Sequence, residues 1–155
     1  MVDWYGAWAY AVWCAGREGL PWRVPGERGW EKAARGVDGR LYPWGDFLDP
    51  SWTCVSSSHS GPPLPMDVGS FPVDVSPYGI VDMAGNMRAW CVPSSTTGDQ
   101  VDVPGAESAV STGEKSSRGG YWYGRPETAT TSTRFTLDPR YRGVHIGIRL
   151  VRSLP

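Results

Sequence analysis

Tyr78-Gly79-Ile80-Val81-Asp82-Met83-Ala84-Gly85-Asn86-Met87-Arg88-Ala89-Trp90-Cys91 is the stretch on which the reading of this chain turns. It carries no sustained apolar repeat of either helical or strand period. Gly85 and Asn86 are turn formers, and Trp90 reads as a large apolar pin for a core. The surroundings are similar from Val37 to Thr112, where Tyr42-Pro43-Trp44-Gly45-Asp46, Ser56–Ser60 and Pro62-Pro63 are turn chemistry. So long an irregular region inside a compact domain either argues against the assignment of elements or marks a functional, loop-rich fold.

Regular structure is expected on either side. Asp3 is placed to cap a helix from Trp4 to Ala15, with Trp4, Ala7, Trp8, Ala11, Val12 and Ala15 on one face and Gly16 as its stop. A second helix is predicted over Gly26–Arg35, with Trp30, Ala33 and Ala34 inward and Gly36 past its end. Glu27 in its first turn, and Lys32 and Arg35 in its last, complement the helix dipole. Strand-like stretches follow the irregular region at Gly120–Tyr123, Thr130–Leu137 and His145–Arg152. In the last, Ile146, Ile148 and Leu150 alternate with Gly147, Arg149 and Val151. Helices, then loops, then antiparallel strands indicate an α+β fold in a single domain, 1–155.

Hydrophobic residues make up 40% of the chain and charged residues 20%, which supports a packed core and argues against wholesale disorder. Nine Trp, 20 Gly and 14 Pro point to irregular backbone pinned by aromatic side chains. The net charge of −1 gives no bulk attraction to nucleic acid or a membrane. Charge is nonetheless uneven. From Arg118 onward there are seven Arg against Glu127 and Asp138, a segment charge of +5 that leaves −6 for the rest. Such arginines tie loops together through carbonyls and carboxylates, or rim a binding face.

Cys14, Cys54 and Cys91 form neither an even set nor a metal spacing, so reduced, buried thiols are expected. The apolar N-terminal stretch lacks a basic leader and is too short to span a bilayer, which makes cytoplasmic residence the default expectation. No Ser-His-Asp set, Walker-type loop or dinucleotide fingerprint is visible.

Several blocks, in order, carry a family resemblance. Trp22-Arg23-Val24-Pro25 and Trp30-Glu31-Lys32-Ala33-Ala34-Arg35-Gly36 are similar to the R-L-P-T-E-x-E-W-E-K-A-A-R-G run of the formylglycine-generating-enzyme (sulfatase-modifying factor) family. Tyr42–Asp46 matches its Y-P-W-G-D, and Tyr78–Cys91 its Y-G-L-x-D-M-A-G-N-V-W-E-W-C. Arg118-Gly119-Gly120-Tyr121-Trp122 and Ile146-Gly147-Ile148-Arg149 match R-G-G-S-W and the terminal G-F-R. Val2-Asp3-Trp4 through Trp13 resembles the family's V-S-W-x-D-A-x-A-Y-C-x-W helix. The resemblance implies a C-type-lectin-like fold, shortened at its N-terminus by a strand section, with an exposed edge expected on the last strand. Trp30, Trp44 and Trp90 then read as core pins, and Gly119 and Gly120 as points of close backbone approach.

The same resemblance tests chemistry position by position. The family's oxidases hold copper and engage a substrate thiol through a cysteine pair, which falls here on Gly124 and Ala129. Neither supplies a ligand, so no catalytic residue is assigned and formylglycine generation is not expected. An iron-dependent branch uses histidines of a separate domain, whereas His59 and His145 read as exposed or locally hydrogen-bonded. The family's calcium site falls on Asp82, Gly85, Met87 and Ala89. Ala89 offers no side-chain oxygen, and calcium takes six to eight, so calcium is expected to bind weakly or not at all through Asp82, Gly85 and Met87. No other cofactor is implied.

Binding remains. Members of the superfamily serve as variable proteins of diversity-generating retroelements, in which the segment between R-G-G-S-W and G-F-R lines an exposed face and is diversified at asparagine codons. That segment nominates Tyr121, Trp122, Tyr123, Arg125, Thr128, Phe135, Thr136, Leu137, Tyr141, Arg142, Val144 and His145 as ligand-binding residues. Tyr and Arg supply contact area and adaptable hydrogen bonds. The expected partner is a protein or other surface ligand, with no nucleic acid and no membrane. Other members are fused to bacterial serine/threonine kinases, and Gly45-Asp46-Phe47-Leu48-Asp49-Pro50 and Ser70-Phe71-Pro72 resemble that subgroup. A regulatory kinase domain and a divergent metal-dependent oxidase are therefore the alternatives.

Overall fold

A computed structural model describes residues 1–93 and 113–153. Helix α1 spans Trp4–Glu18, and the Asp3 carboxylate caps it by accepting from the Gly6 N–H at 2.7 Å. It runs one turn past Gly16 and ends at Gly19, whose φ of 65° is left-handed. An exposed glycine is tolerated within a helix, and Glu18 is held by Arg17 at 2.8 Å and by the Trp22 indole N–H at 2.7 Å. Trp4, Ala7, Ala11 and Cys14 form the buried stripe. Val12, expected inward, is exposed, and Cys14 takes the inner position instead.

Helix α2 spans Glu27–Arg35 and ends at Gly36, as its sequence predicts. Trp30 and Ala34 are buried on its inner face.

The sheet has four strands: β1, Arg88–Cys91; β2, Lys115–Arg118; β3, Arg134–Leu137; and β4, Ile146–Gly147. Their order is β3-β2-β1-β4. β1 pairs antiparallel with β2 and parallel with β4, and β2 pairs antiparallel with β3, so the sheet is mixed rather than wholly antiparallel. Strand β1 lies inside the stretch that showed no period, and β2 precedes the expected Gly120–Tyr123 strand, which is a turn. Of His145–Arg152 only Ile146–Gly147 is strand; Val151 forms an isolated antiparallel bridge to Arg23, and Ile148 is exposed. The misread strands are those that bury on both faces, where alternation disappears.

The two faces of β1 meet different helices. Trp90 joins Trp4, Ala7, Ala11, Val24 and Ile146 in the α1-side core. Ala89 and Cys91 join Trp30, Ala34 and Met83 on the α2 side. Trp30 and Trp90 are fully buried pins, whereas Trp44 is half-buried and stacks on Tyr42 with centroids 5.3 Å apart. Gly120 permits the close approach expected of it: an added Cβ would lie 2.3 Å from the Ala84 carbonyl oxygen, which accepts the Gly120 N–H at 2.7 Å.

Polar groups lock the α2 side. Arg118 of β2, 2% exposed, ion-pairs with Glu31 and lies 3.9 Å from Glu27. It also donates to the carbonyls of Ser132 at 2.8 Å and Thr133 at 3.2 Å, ahead of β3. Glu27 is buried, accepts from the Ser116 hydroxyl at 3.1 Å and pairs with Arg134. One cluster thus joins α2, β2 and β3.

Asp74 performs a similar task in the irregular region. Its carboxylate accepts from the Thr53 hydroxyl at 2.6 Å and from the N–H groups of Met83 at 3.1 Å, Ala84 at 3.2 Å and Gly85 at 3.3 Å. Burial nevertheless pushes its pKa up to about 6, against the pull of those hydrogen bonds.

Arg118→Ala is expected to cost about 3–5 kcal/mol in denaturant unfolding, because it removes a buried cation from between Glu27 and Glu31 and leaves the Ser132 and Thr133 carbonyls without that donor. Asp74→Asn should remove a pH dependence. The native carboxyl holds its proton more tightly than an unfolded Asp of pKa 3.8, so its contribution declines as pH rises from about 4 to about 6. The stability of the native protein relative to Asp74→Asn should therefore be greater at pH 4 than at pH 7, as read by urea midpoints; a difference independent of pH would refute the assignment.

Candidate functional site

Two segments converge beside the end of β1. Beyond Gly120, the Trp122 N–H donates to the Asn86 carbonyl at 2.9 Å, laying Tyr121–Gly124 along the 84–86 turn. Returning from β3, the chain presents the His145 carbonyl to the Arg88 N–H at 2.9 Å. Between these anchors, aromatic rings gather. Tyr121 and Trp122 each meet Tyr123 edge-on with centroids 4.5 Å apart. The His145 ring lies 4.9 Å from Tyr121, 5.5 Å from Tyr123 and 5.8 Å from Tyr141. The Tyr123 hydroxyl and His145 Nδ1 are 2.6 Å apart, and the Trp122 indole donates to the Val144 carbonyl at 3.2 Å. Gly143 makes room for this packing, since an added Cβ would fall 2.7 Å from the Tyr141 ring and 2.9 Å from His145.

Arg88 occupies the inner wall. Its guanidinium carbon sits 3.2 Å from the Phe135 ring centroid and 4.3 Å from that of Tyr121. The side chain is only 6% exposed, yet among the described residues no carboxylate pairs with it, and its Nε is buried without a hydrogen-bond partner. Burial brings its pKa down to about 10, so it remains a cation at neutral pH. Burial, and then the Arg88 charge, hold the His145 pKa below the usual imidazole value. Arg88 was not among the residues nominated from sequence. The signal was available: the matching family block has tryptophan where Arg88 stands.

Of the nominated residues, Tyr121, Trp122, Tyr123, Phe135, Tyr141, Val144 and His145 belong to this assembly, with Tyr123, Tyr141 and Val144 exposed at its surface. Others lie elsewhere. Leu137 packs against the α1 core, and Thr136 opposite Ser116 is on the other sheet face. Arg142 reaches Asp3 at the α1 cap, 2.7 Å away. Arg125 and Thr128 flank a 3₁₀ turn, Pro126–Thr128, where the Thr128 hydroxyl donates to the Arg125 carbonyl at 2.8 Å.

The positions tested for metals do not fit them. At Gly124 an added Cβ would fall 2.9 Å from the Tyr121 ring, and Ala129 is fully buried against Val55 and Ala84, so a copper dithiolate has no place. The three thiols are free and buried, and burial pushes those of Cys54 and Cys91 up. For calcium, the Asp82 carboxylate accepts the Gly69 N–H at 2.8 Å and the Gly85 carbonyl accepts the Met87 N–H at 2.9 Å. Arg149 donates to the Val81 and Asp82 carbonyls at 2.9 and 3.4 Å, and Ala89 supplies no side-chain oxygen to that block. His59 Nδ1 accepts the Gly61 N–H at 3.1 Å, a local contact as expected. Among the described residues no helix is long and apolar enough to cross a membrane.

An α+β scaffold of two helices about a small mixed sheet, with an aromatic face at the end of that sheet, defines the class. The chain belongs to the sulfatase-modifying factor enzyme 1-like domain family, whose description matches residues 1–154. It is 41% identical over 91 residues to the serine/threonine-protein kinase pkn1 of Chlamydia caviae, covering 58% of this chain and 13% of the kinase. It is 32% identical to the inactive C-alpha-formylglycine-generating enzyme 2 of Bos taurus, over 64% of this chain and 34% of that protein. Among solved structures, PvdO from Pseudomonas aeruginosa superposes with a TM-score of 0.80 at 24% identity, covering 99% of this chain and 60% of PvdO. Treponema denticola variable protein 1 does so with a TM-score of 0.72 at 21% identity, covering 96% and 68%. The chain thus spans well under half the length of these two curated relatives.

The lowered pKa of His145 is open to direct measurement. Its imidazole should titrate below 6.5 in an NMR pH series, and Arg88→Gln should move the midpoint upward. A native midpoint at or above 6.5 would contradict the burial and charge described.

Proposed function

We propose that this domain is a non-enzymatic binding module, and that the aromatic face built from Tyr121, Trp122, Tyr123, Phe135, Tyr141 and His145 recognises a protein ligand. The observation that carries this reading is the packing at Gly124 and Ala129, where the family resemblance places catalytic thiols and this chain has a ring and a core contact. Relatives named as an inactive enzyme and a variable protein support it. Rigid Tyr and Trp side chains at the rim supply contact area with little rotamer entropy to lose, as binding faces favour. Its sharper form is a retroelement-diversified protein, which calls for a template repeat near the gene differing at adenines.

The likeness to pkn1 favours a second reading, in which the same binding face serves as the sensory or regulatory domain of a kinase. A divergent metal-dependent oxidase of the superfamily would need thiolates from somewhere other than positions 124 and 129.

The test is capture of a partner by the immobilised domain, followed by titration of the purified pair. Tyr123→Ala, Phe135→Ala and Tyr141→Ala should each weaken binding by about tenfold or more, the scale of an aromatic anchor, while Lys32→Ala on α2 leaves it unchanged. Affinity unaltered in all three aromatic variants, or turnover of a cysteine-containing peptide by the copper-reconstituted domain, would overturn the proposal.

A further inference from the structure

We infer that Arg88 and the tyrosines around it form a carboxylate-binding pocket, and that the ligand of this face presents a carboxylate to it. The inference rests on the binding face proposed above and names the chemistry at its centre. Arg88 is only 6% exposed, and its Nε, like that of Arg118, is buried without a hydrogen-bond partner among the described residues. A buried guanidinium ordinarily sits beside a carboxylate, as Arg118 does beside Glu31. Around Arg88 there is none among the described residues. Phe135 and Tyr121 offer ring faces, which attract the cation without neutralising it. A cation desolvated at this cost, with no counter-ion among the described residues, is explained when a ligand supplies one.

Charge and shape select the ligand group. Among the described residues Arg88 is the cation stacked within this ring cluster, and burial and then its charge lower the pKa of His145. A carboxylate, with one negative charge, balances it; a phosphate dianion would leave a charge uncompensated in a poorly solvated site. A guanidinium stacked on aromatic rings keeps its in-plane N–H edge for a planar acceptor, which suits a carboxylate. Tyr123 and Tyr141, at 38% and 39% exposed, reach the surface beside it; the Tyr123 hydroxyl is engaged with His145, which leaves the Tyr141 hydroxyl as the further donor on offer. On a protein ligand the group would be an Asp or Glu side chain or the C-terminal carboxylate.

The probe is sodium benzoate, one carboxylate on an aromatic ring, with sodium phosphate as the comparison at constant ionic strength. Binding is followed through the Arg88 Nε–H resonance in 15N-labelled protein. Benzoate should shift that resonance saturably, with a dissociation constant on the order of 1–10 mM for so small a ligand. Tyr141→Phe should weaken it several-fold, and Arg88→Gln should abolish the corresponding shifts at the Tyr123 and His145 resonances. Arg88→Met, which removes the unpaired charge, should raise Tm by ~2–5 °C while also abolishing binding. No saturable shift with benzoate, equal response in Arg88→Gln, or tighter binding of phosphate would each overturn the assignment.

The two readings fail separately. Partner binding lost in the tyrosine variants without benzoate binding would leave the face intact and remove the carboxylate pocket. Benzoate binding that depends on Arg88, with partner affinity unaltered in the aromatic variants, would do the reverse.

Discussion

The Arg118 guanidinium is the contact on which the rest of the structure depends. Strand β2 is Lys-Ser-Ser-Arg, four buried residues without an aliphatic side chain among them. Hydrophobic burial gives it no reason to sit in the middle of a sheet. Its place is fixed by pairing on both edges and by Arg118, which joins Glu31 and Glu27 of α2 to the carbonyls preceding β3. Because β2 separates β1 from β3, the position of Phe135 on β3 follows from it. A buried ion cluster of this kind adds little net stability over an apolar one of equal volume, but it is costly to break, so it specifies a register.

Arg88 makes an instructive contrast with Arg118. The two arginines lie on opposite faces of the same small sheet: Arg118 pairs with Ala89 across β1–β2, on the α2 side, while Arg88 points the other way, toward Phe135. Both are almost fully buried. One has carboxylates and carbonyls around it, and the other, among the described residues, has ring faces. Desolvation acts on both alike, so the difference lies in compensation. On the α2 face the polar investment goes into holding the fold. On the opposite face Arg88 is buried against ring faces, behind tyrosines that reach the surface.

What sequence could reveal follows from the same physics. The helices were legible because α1 and α2 each bury one face at helical spacing, and only the details of α1 moved, with Gly19 rather than Gly16 as its stop. Strands β1 and β2 were not, because a strand buried on both faces has no alternation to read, and β2 conceals itself further behind charged and hydroxyl side chains. The aromatic segment was legible as a segment. Its division was not: period two along β3 sends Phe135 to the site and Thr136 to the other face, while Leu137 goes to the core. Arg88 escaped notice because it lies in a block that reads as scaffold, and only the fold brings that block to the aromatic rings.

The missing thiol and the aromatic pocket are linked by geometry. A cysteine at 124 would place its Cβ 2.9 Å from the Tyr121 ring, and the Tyr121 ring is one of the two that cover Arg88. Restoring the first cysteine would therefore displace Tyr121 and uncover the guanidinium, while a cysteine at 129 would add bulk to a position already closed against Val55 and Ala84. The catalytic arrangement and the present one compete for the same space. In this chain the space beside position 124 is filled by the Tyr121 ring, which with Phe135 covers the buried Arg88.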